Sequence, residues 1–131
     1  MAKNFKDLSE QEILALAISS EETDARVYAD FAAGVKADYP ATAQIFKEME
    51  AEEDEHRREL IEEYRGRFGE HIPLIRREDV KGFVHRKPVW MIRPLGIKTV
   101  RRQAEVMETE TQRFYERAAT KVSDACSFAG Y

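Results

Sequence analysis

The chain reads as an all-α helical bundle on three observations. Three long segments repeat apolar residues at steps of three and four, the spacing that keeps one face of a helix toward a core. Charged residues make up 35% of the 131 positions, with Ala, Glu, Lys, Leu and Arg abundant, a composition typical of helices. Gly and Pro are few outside one middle stretch, so the remaining segments run without breakers.

The first helix begins at a capping box, Ser9 with Glu12 three residues on, preceded by Leu8 as a hydrophobic staple, and runs to about Lys36. Its core stripe is Leu14, Ile18, Glu21, Ala25, Tyr28 and Ala32. Asp38-Tyr39-Pro40 then forces a turn. Proline suits the first position of a helix and disfavours helix in the residue before it, so the second helix is expected from Pro40 to Gly66. Its stripe is Phe46, Met49, Glu53, His56 and Leu60. Two long helices joined by so short a connection must lie antiparallel. At ~1.5 Å per residue, Glu21 and the Glu53/His56 pair then fall within about one turn of the same level.

Between Gly66 and Gly96 the pattern breaks up, with Gly69, Pro73, Gly82, Pro88 and Pro94 as further punctuation and a short helical stretch expected around Leu74 to Val84. A connection that must travel the length of a bundle before the next helix needs this much chain. The third helix is expected from Gly96 to Val122, with the stripe Ile97, Val100, Ala104, Glu108, Thr111, Tyr115, Ala118 and Val122. It echoes the first: aligning Glu21 on Glu108 also matches Arg26 with Arg113, Tyr28 with Tyr115 and Ala32 with Ala119. A fourth helix mirroring the second does not follow. The expected organisation is one domain over residues 1–122, with the long crossover at 66–96 and an irregular tail at 123–131.

Acids on these stripes carry the functional argument. A lone buried carboxylate costs several kcal/mol, so Glu21, Glu53 and Glu108 converging on one core require protons or a cation. Glu53 and His56, three apart, stand side by side on one helix face. Carboxylates with an imidazole are the ligand set of non-haem iron and of manganese, and they also accept zinc. Di-iron and di-manganese bundles take a Glu from each of two helices and a Glu-x-x-His from each of the other two. Glu21, Glu108, Glu53 and His56 supply four of those six ligands. Tyr28 and Tyr115 are placed to hydrogen-bond ligand carboxylates or to pack as core aromatics. Glu50 and Glu105, one turn from the acids of the stripes, are read as surface residues. His71 and His85 receive no role.

Charge is lopsided. Residues 71–102 hold nine Lys/Arg against two acids, and the remainder twelve against twenty-three. The acidic part suits cations, and the basic part suits an acidic partner or membrane face, with Trp90 among Arg86, Lys87 and Arg93 expected to cap the bundle rather than bind nucleic acid. The one cysteine, Cys126, excludes a disulfide framework or a thiolate metal site within one chain. No apolar run approaches the ~20 residues that span a bilayer and no signal-peptide pattern opens the chain, so a soluble, cytoplasmic protein is expected.

Taken together, Asp7-Leu8-Ser9 through Ile13-Leu14-Ala15-Leu16-Ala17, Pro73-Leu74-Ile75-Arg76-Arg77, Asp79-Val80-Lys81-Gly82-Phe83, Arg86-Lys87-Pro88 and Arg93-Pro94-Leu95-Gly96 resemble the rubrerythrin branch of the ferritin-like superfamily. Within it they are most similar to the cytosolic domain of membrane-bound ferritins, where a ferritin-like domain precedes a vacuolar-iron-transporter-like membrane domain. The resemblance covers residues 5–124 and implies a di-iron site at Glu21, Glu53, His56 and Glu108, a role in iron homeostasis and protection against oxidative stress, and a membrane-transport domain in a longer parent. The chain departs from that pattern in lacking a fourth helix, a transporter segment and rubredoxin-type cysteine pairs. A homodimer, or swapped helices, is therefore expected to complete the bundle and double Glu21, Glu53 and His56 about a two-fold axis. The competing expectation is a non-enzymatic oligomeric interaction module with a basic linker and a redox-silent metal site.

Overall fold

Helix-forming pattern and chain punctuation together set the architecture. The computed structural model of the protein describes residues 3–81 and 96–121. Its long elements are α1 (Glu10–Val35), α2 (Pro40–Phe68) and α3 (Ile97–Ala119), the all-α bundle that the periodicity predicts. Ser9 caps α1 as expected, with its side chain accepting from the Glu12 backbone N–H while the Glu12 carboxylate accepts from that of Ser9. Pro40 opens α2 from the first helical position, where its missing N–H costs nothing.

α2 does not stop at Gly66. It continues to Phe68 because Tyr64 is buried and Arg67 pairs with Glu10, so the last turn has packing to gain. Gly69 ends it instead, with φ of 93°, a left-handed conformation that favours glycine, and its N–H bonded to the Arg65 carbonyl. α3 starts after Gly96, also at positive φ, and ends at Ala119; Val122 and the tail lie outside the described residues.

The helix expected near Leu74 to Val84 is absent from its described part. Residues Arg77–Asp79 form one turn of 3-10 helix, and a short strand follows at Val80–Lys81, pairing in parallel with Lys3–Asn4. Gly82 through Leu95, including His85 and Trp90, lie outside the described residues.

Contacts fix the helix directions. Glu10 meets Arg67, Gln11 meets Tyr64, Glu21 meets His56 and Phe31 meets Phe46, so α1 and α2 run antiparallel. α3 also opposes α1, since Tyr115 reaches Glu21 and Thr111 reaches Asp24. α2 therefore ends at the Glu10 end of the bundle while α3 begins beside Thr42, which Arg101 hydrogen-bonds at 2.7 Å. The long crossover spans the distance between those two ends, as its length predicts.

Two apolar clusters result. One gathers Phe5, Leu8, Ile13 to Ile18, Leu60, Tyr64, Phe114 and Ala118. The other gathers Tyr28, Phe31, Val35, Ala43, Phe46, Val100 and Met107. Between them along α1 lie Ser20, Glu21 and Asp24, all buried and all polar. Hydrophobic layers on both sides hold these groups out of water, and the site occupies that interval. No helix among the described residues is long and apolar enough to cross a membrane.

Candidate metal centre

Glu21 is 2% exposed, in the middle of α1. Its Oε1 accepts a hydrogen bond from the Tyr115 hydroxyl, contributed by α3. Its Oε2 is buried without a hydrogen bond and faces His56 Nδ1 at 3.8 Å, an ion-pair distance rather than a hydrogen bond. Glu53, one turn before His56 on α2, likewise has a buried Oε2 with no hydrogen bond. Among the described residues, one ligand atom from each of Glu21, Glu53 and His56 lies within 4.8 Å of the others. The sequence placed these three on converging stripes, and the fold brings them together.

Electrostatics at this point favour a cation. The facing Glu21 carboxylate raises the His56 imidazole above its ordinary value, partial burial acts the other way, and the Glu59 and Glu52 charges add to the rise. The Glu21 carboxylate thus favours positive charge at this ring, and a metal entering the group would compete with a proton for it. Buried carboxylate oxygens without hydrogen bonds are costly unless something positive occupies the space between them. The donor set, two carboxylates and one ring nitrogen, fits iron, manganese or zinc. His56 keeps 28% of its side chain exposed, which leaves the group a face toward solvent.

Glu108 does not join them. It is exposed on α3, and the inward position at that level belongs to Met107, which is fully buried. The stripe expected through Glu108 is thus corrected by one position. Met107 packs with Tyr28, Phe31 and Phe46, and burying a thioether there is far cheaper than burying a charge. The half-buried Glu110, with one buried carboxylate oxygen, is the acid of α3 that turns inward.

Of the residues read as supporting the site, Tyr115 holds Glu21, whereas Tyr28 is stacked on Phe46 with ring centroids 6.3 Å apart. Glu105 is exposed and Glu50 half-exposed. The His71 side chain is exposed, and its backbone carbonyl accepts a hydrogen bond from the Tyr64 hydroxyl at 2.7 Å.

Sequence reasoning missed a second buried acid. Asp24, three residues after Glu21 and 2% exposed, is gripped by Arg77, whose two terminal nitrogens lie 3.0 and 3.1 Å from its two oxygens. Thr111 adds a third bond at 3.2 Å. The signal was present, since Glu21, Asp24 and Tyr28 also follow steps of three and four, but Ala25 offered the apolar alternative. Arg77 carried no such signal, because nothing in the crossover's sequence tells which of its cations turns inward.

A rubrerythrin family model matches residues 12–128, a span that contains every residue of this group. No curated protein and no solved structure matches the chain.

Proposed function

The chain belongs to the rubrerythrin family of ferritin-like proteins, which typically bind iron, and on that premise we propose that it is a non-haem iron protein that binds and oxidises Fe(II) in iron homeostasis and in protection against oxidative stress. The observation that carries this reading is the gathering of one ligand atom each from Glu21, Glu53 and His56 within 4.8 Å of one another, with a buried, unbonded carboxylate oxygen on each acid.

Glu21 and Glu53 would hold the ion through oxygen and His56 through nitrogen. Bound iron supplies one-electron chemistry, each Fe(II) giving one electron to dioxygen or peroxide. The protein's own part is positional. Tyr115, by donating to Oε1 of Glu21, fixes that carboxylate so that Oε2 points into the group. The apolar layers on either side keep bulk water from competing for the carboxylates. His56 would ligate through a ring nitrogen that carries no proton, and its partly exposed side chain gives the group access to solvent.

One chain offers three ligands where a two-metal bundle uses six. A homodimer would bring a second Glu21, Glu53 and His56 across a two-fold axis and complete a two-iron centre in a cytoplasmic protein. In a longer parent the same unit would stand at the cytosolic face of a membrane-transport domain.

Aerobic Fe(II) titration of the purified protein tests this. Oxygen-dependent formation of Fe(III) that disappears in Glu53→Ala and in His56→Ala is the expected result, with elemental analysis giving two irons per dimer. Folded protein that neither retains nor oxidises iron would end the proposal.

A further inference from the structure

Two buried acids stand one turn apart on α1, and the fold treats them in opposite ways. Glu21 keeps Oε2 free of hydrogen bonds, whereas each oxygen of Asp24 is bonded, Oδ1 to Arg77 at 3.0 Å and Oδ2 to Arg77 at 3.1 Å and to Thr111 at 3.2 Å. Residues three apart on a helix share a face, with Cβ atoms ~5–6 Å apart. By position and by chemistry Asp24 is as eligible a metal ligand as Glu21.

What separates them is a cation already in place. Arg77 comes from the 3-10 turn of the crossover, its side chain is only 13% exposed, and its planar fork matches the carboxylate in the two-bond arrangement that fixes both partners. We propose that Arg77 is a positioning residue that withholds Asp24 from the metal group, limiting the ligands of each chain to Glu21, Glu53 and His56 and the capacity to one ion per chain. The inference rests on reading those three residues as ligands. A guanidinium cannot be deprotonated here or exchange with solution, so Asp24 keeps a permanent counter-charge and has no need of a metal. The same positive charge, seated on the acid one turn along α1 from Glu21, repels a second cation. Lysine at this position would supply charge without the fork.

Co(II) serves as probe, because it is stable in air and its visible spectrum reports its ligands. Apo-protein of the wild type should take up one Co(II) per chain. Arg77→Gln should release Asp24, giving a second Co(II) per chain or a Kd at least about tenfold lower, with a changed spectrum. Adding Asp24→Asn to that variant should restore the wild-type titration, and Asp24→Asn alone should leave it unchanged. An Arg77→Gln protein that is folded yet titrates like the wild type overturns the proposal. So does loss of Co(II) binding in Asp24→Asn, which would make Asp24 a ligand already.

Removing Arg77 leaves a buried acid unpaired, so Arg77→Lys provides a second route if Arg77→Gln does not fold. A smaller gain of affinity that vanishes with Asp24→Asn supports the withholding role, and a wild-type titration refutes it. If the wild type binds no Co(II), the reading of the metal group fails. The role of Arg77 then stands only if Arg77→Gln or Arg77→Lys acquires binding, and falls if neither does.

Discussion

At the level of Glu21, the α1–α2 hairpin contributes two carboxylates and an imidazole to the candidate metal group, whereas α3 contributes two hydroxyls, Thr111 toward Asp24 and Tyr115 toward Glu21. The sequence suggested otherwise, since α3 echoes α1 around Glu108 and Tyr115. The echo survives in Tyr115 and is lost at Glu108, because α3 is turned so that Met107 fills the core. The hairpin thus supplies the candidate ligands and α3 supplies their support. Pattern similarity between two helices predicts that both face the core; it does not determine which neighbouring residue does so.

Substitutions at equivalent positions on the two sides would break this comparison most sharply. Glu21→Ala should weaken Mn(II) binding by at least about 100-fold in calorimetric titration, more than loss of a supporting group would. Glu108→Ala should leave it unchanged, and an equal loss in both would restore the symmetric picture. Tyr115→Phe should sit between them, weakening binding by about 10- to 100-fold with the fold intact by circular dichroism, since it frees the Glu21 carboxylate without removing it.

Stability measurements sharpen the same contrast. Met107→Ala should cost ~2–5 kcal/mol in urea unfolding, the usual penalty for a cavity at a fully buried site, against almost nothing for Glu108→Ala. On the hairpin side, Ser9→Ala should cost ~1 kcal/mol by removing the cap of α1. Glu12 makes that cap pH-sensitive. Its bond from Lys3, then that from the Ser9 backbone, hold its pKa below the ordinary 4.5. A carboxyl depressed in the folded state adds stability above its unfolded value, and this contribution is lost as pH falls through the lower folded one. Glu12→Gln should therefore flatten unfolding free energy against pH in the acid range below about 4.5.

The smallest effect concerns Gly66, where a methyl group would meet nothing within 4 Å and the backbone is helical. Gly66→Ala should stabilise α2 by ~0.4–1 kcal/mol, while Gly69→Ala should destabilise it, because φ there is 93°.

Much of this architecture was legible in the residues. Ser9 with Glu12 and Pro40 mark helix starts through local chemistry, and local chemistry survives folding. The stripe through Glu53 and His56 was readable because Phe46 and Leu60, both buried, bracket it. α3 was misread by one position because Met107 and Glu108 both fit a stripe of threes and fours. Only packing against Tyr28 and Phe46 decides between them. The end of α2 was misplaced for a similar reason, since Gly66 and Gly69 are alike in sequence and differ in backbone conformation, helical at Gly66 and at φ of 93° at Gly69. Arg77 was out of reach because its partner lies 53 residues away in the chain.

Near its C-terminal end the third helix hands over to Lys121, whose ammonium donates to the backbone carbonyls of Phe5, Lys6 and Leu8 across separations of 113 to 116 positions. On a ribosome the hairpin can assemble from neighbouring chain as soon as it emerges, but this clasp must wait until Lys121 has been made. The early product of synthesis is then a hairpin without its third wall, with the Glu21 carboxylate not yet held by Tyr115. The placing of Glu21 by the hairpin and its fixing by Tyr115 become successive events in the folding of each polypeptide.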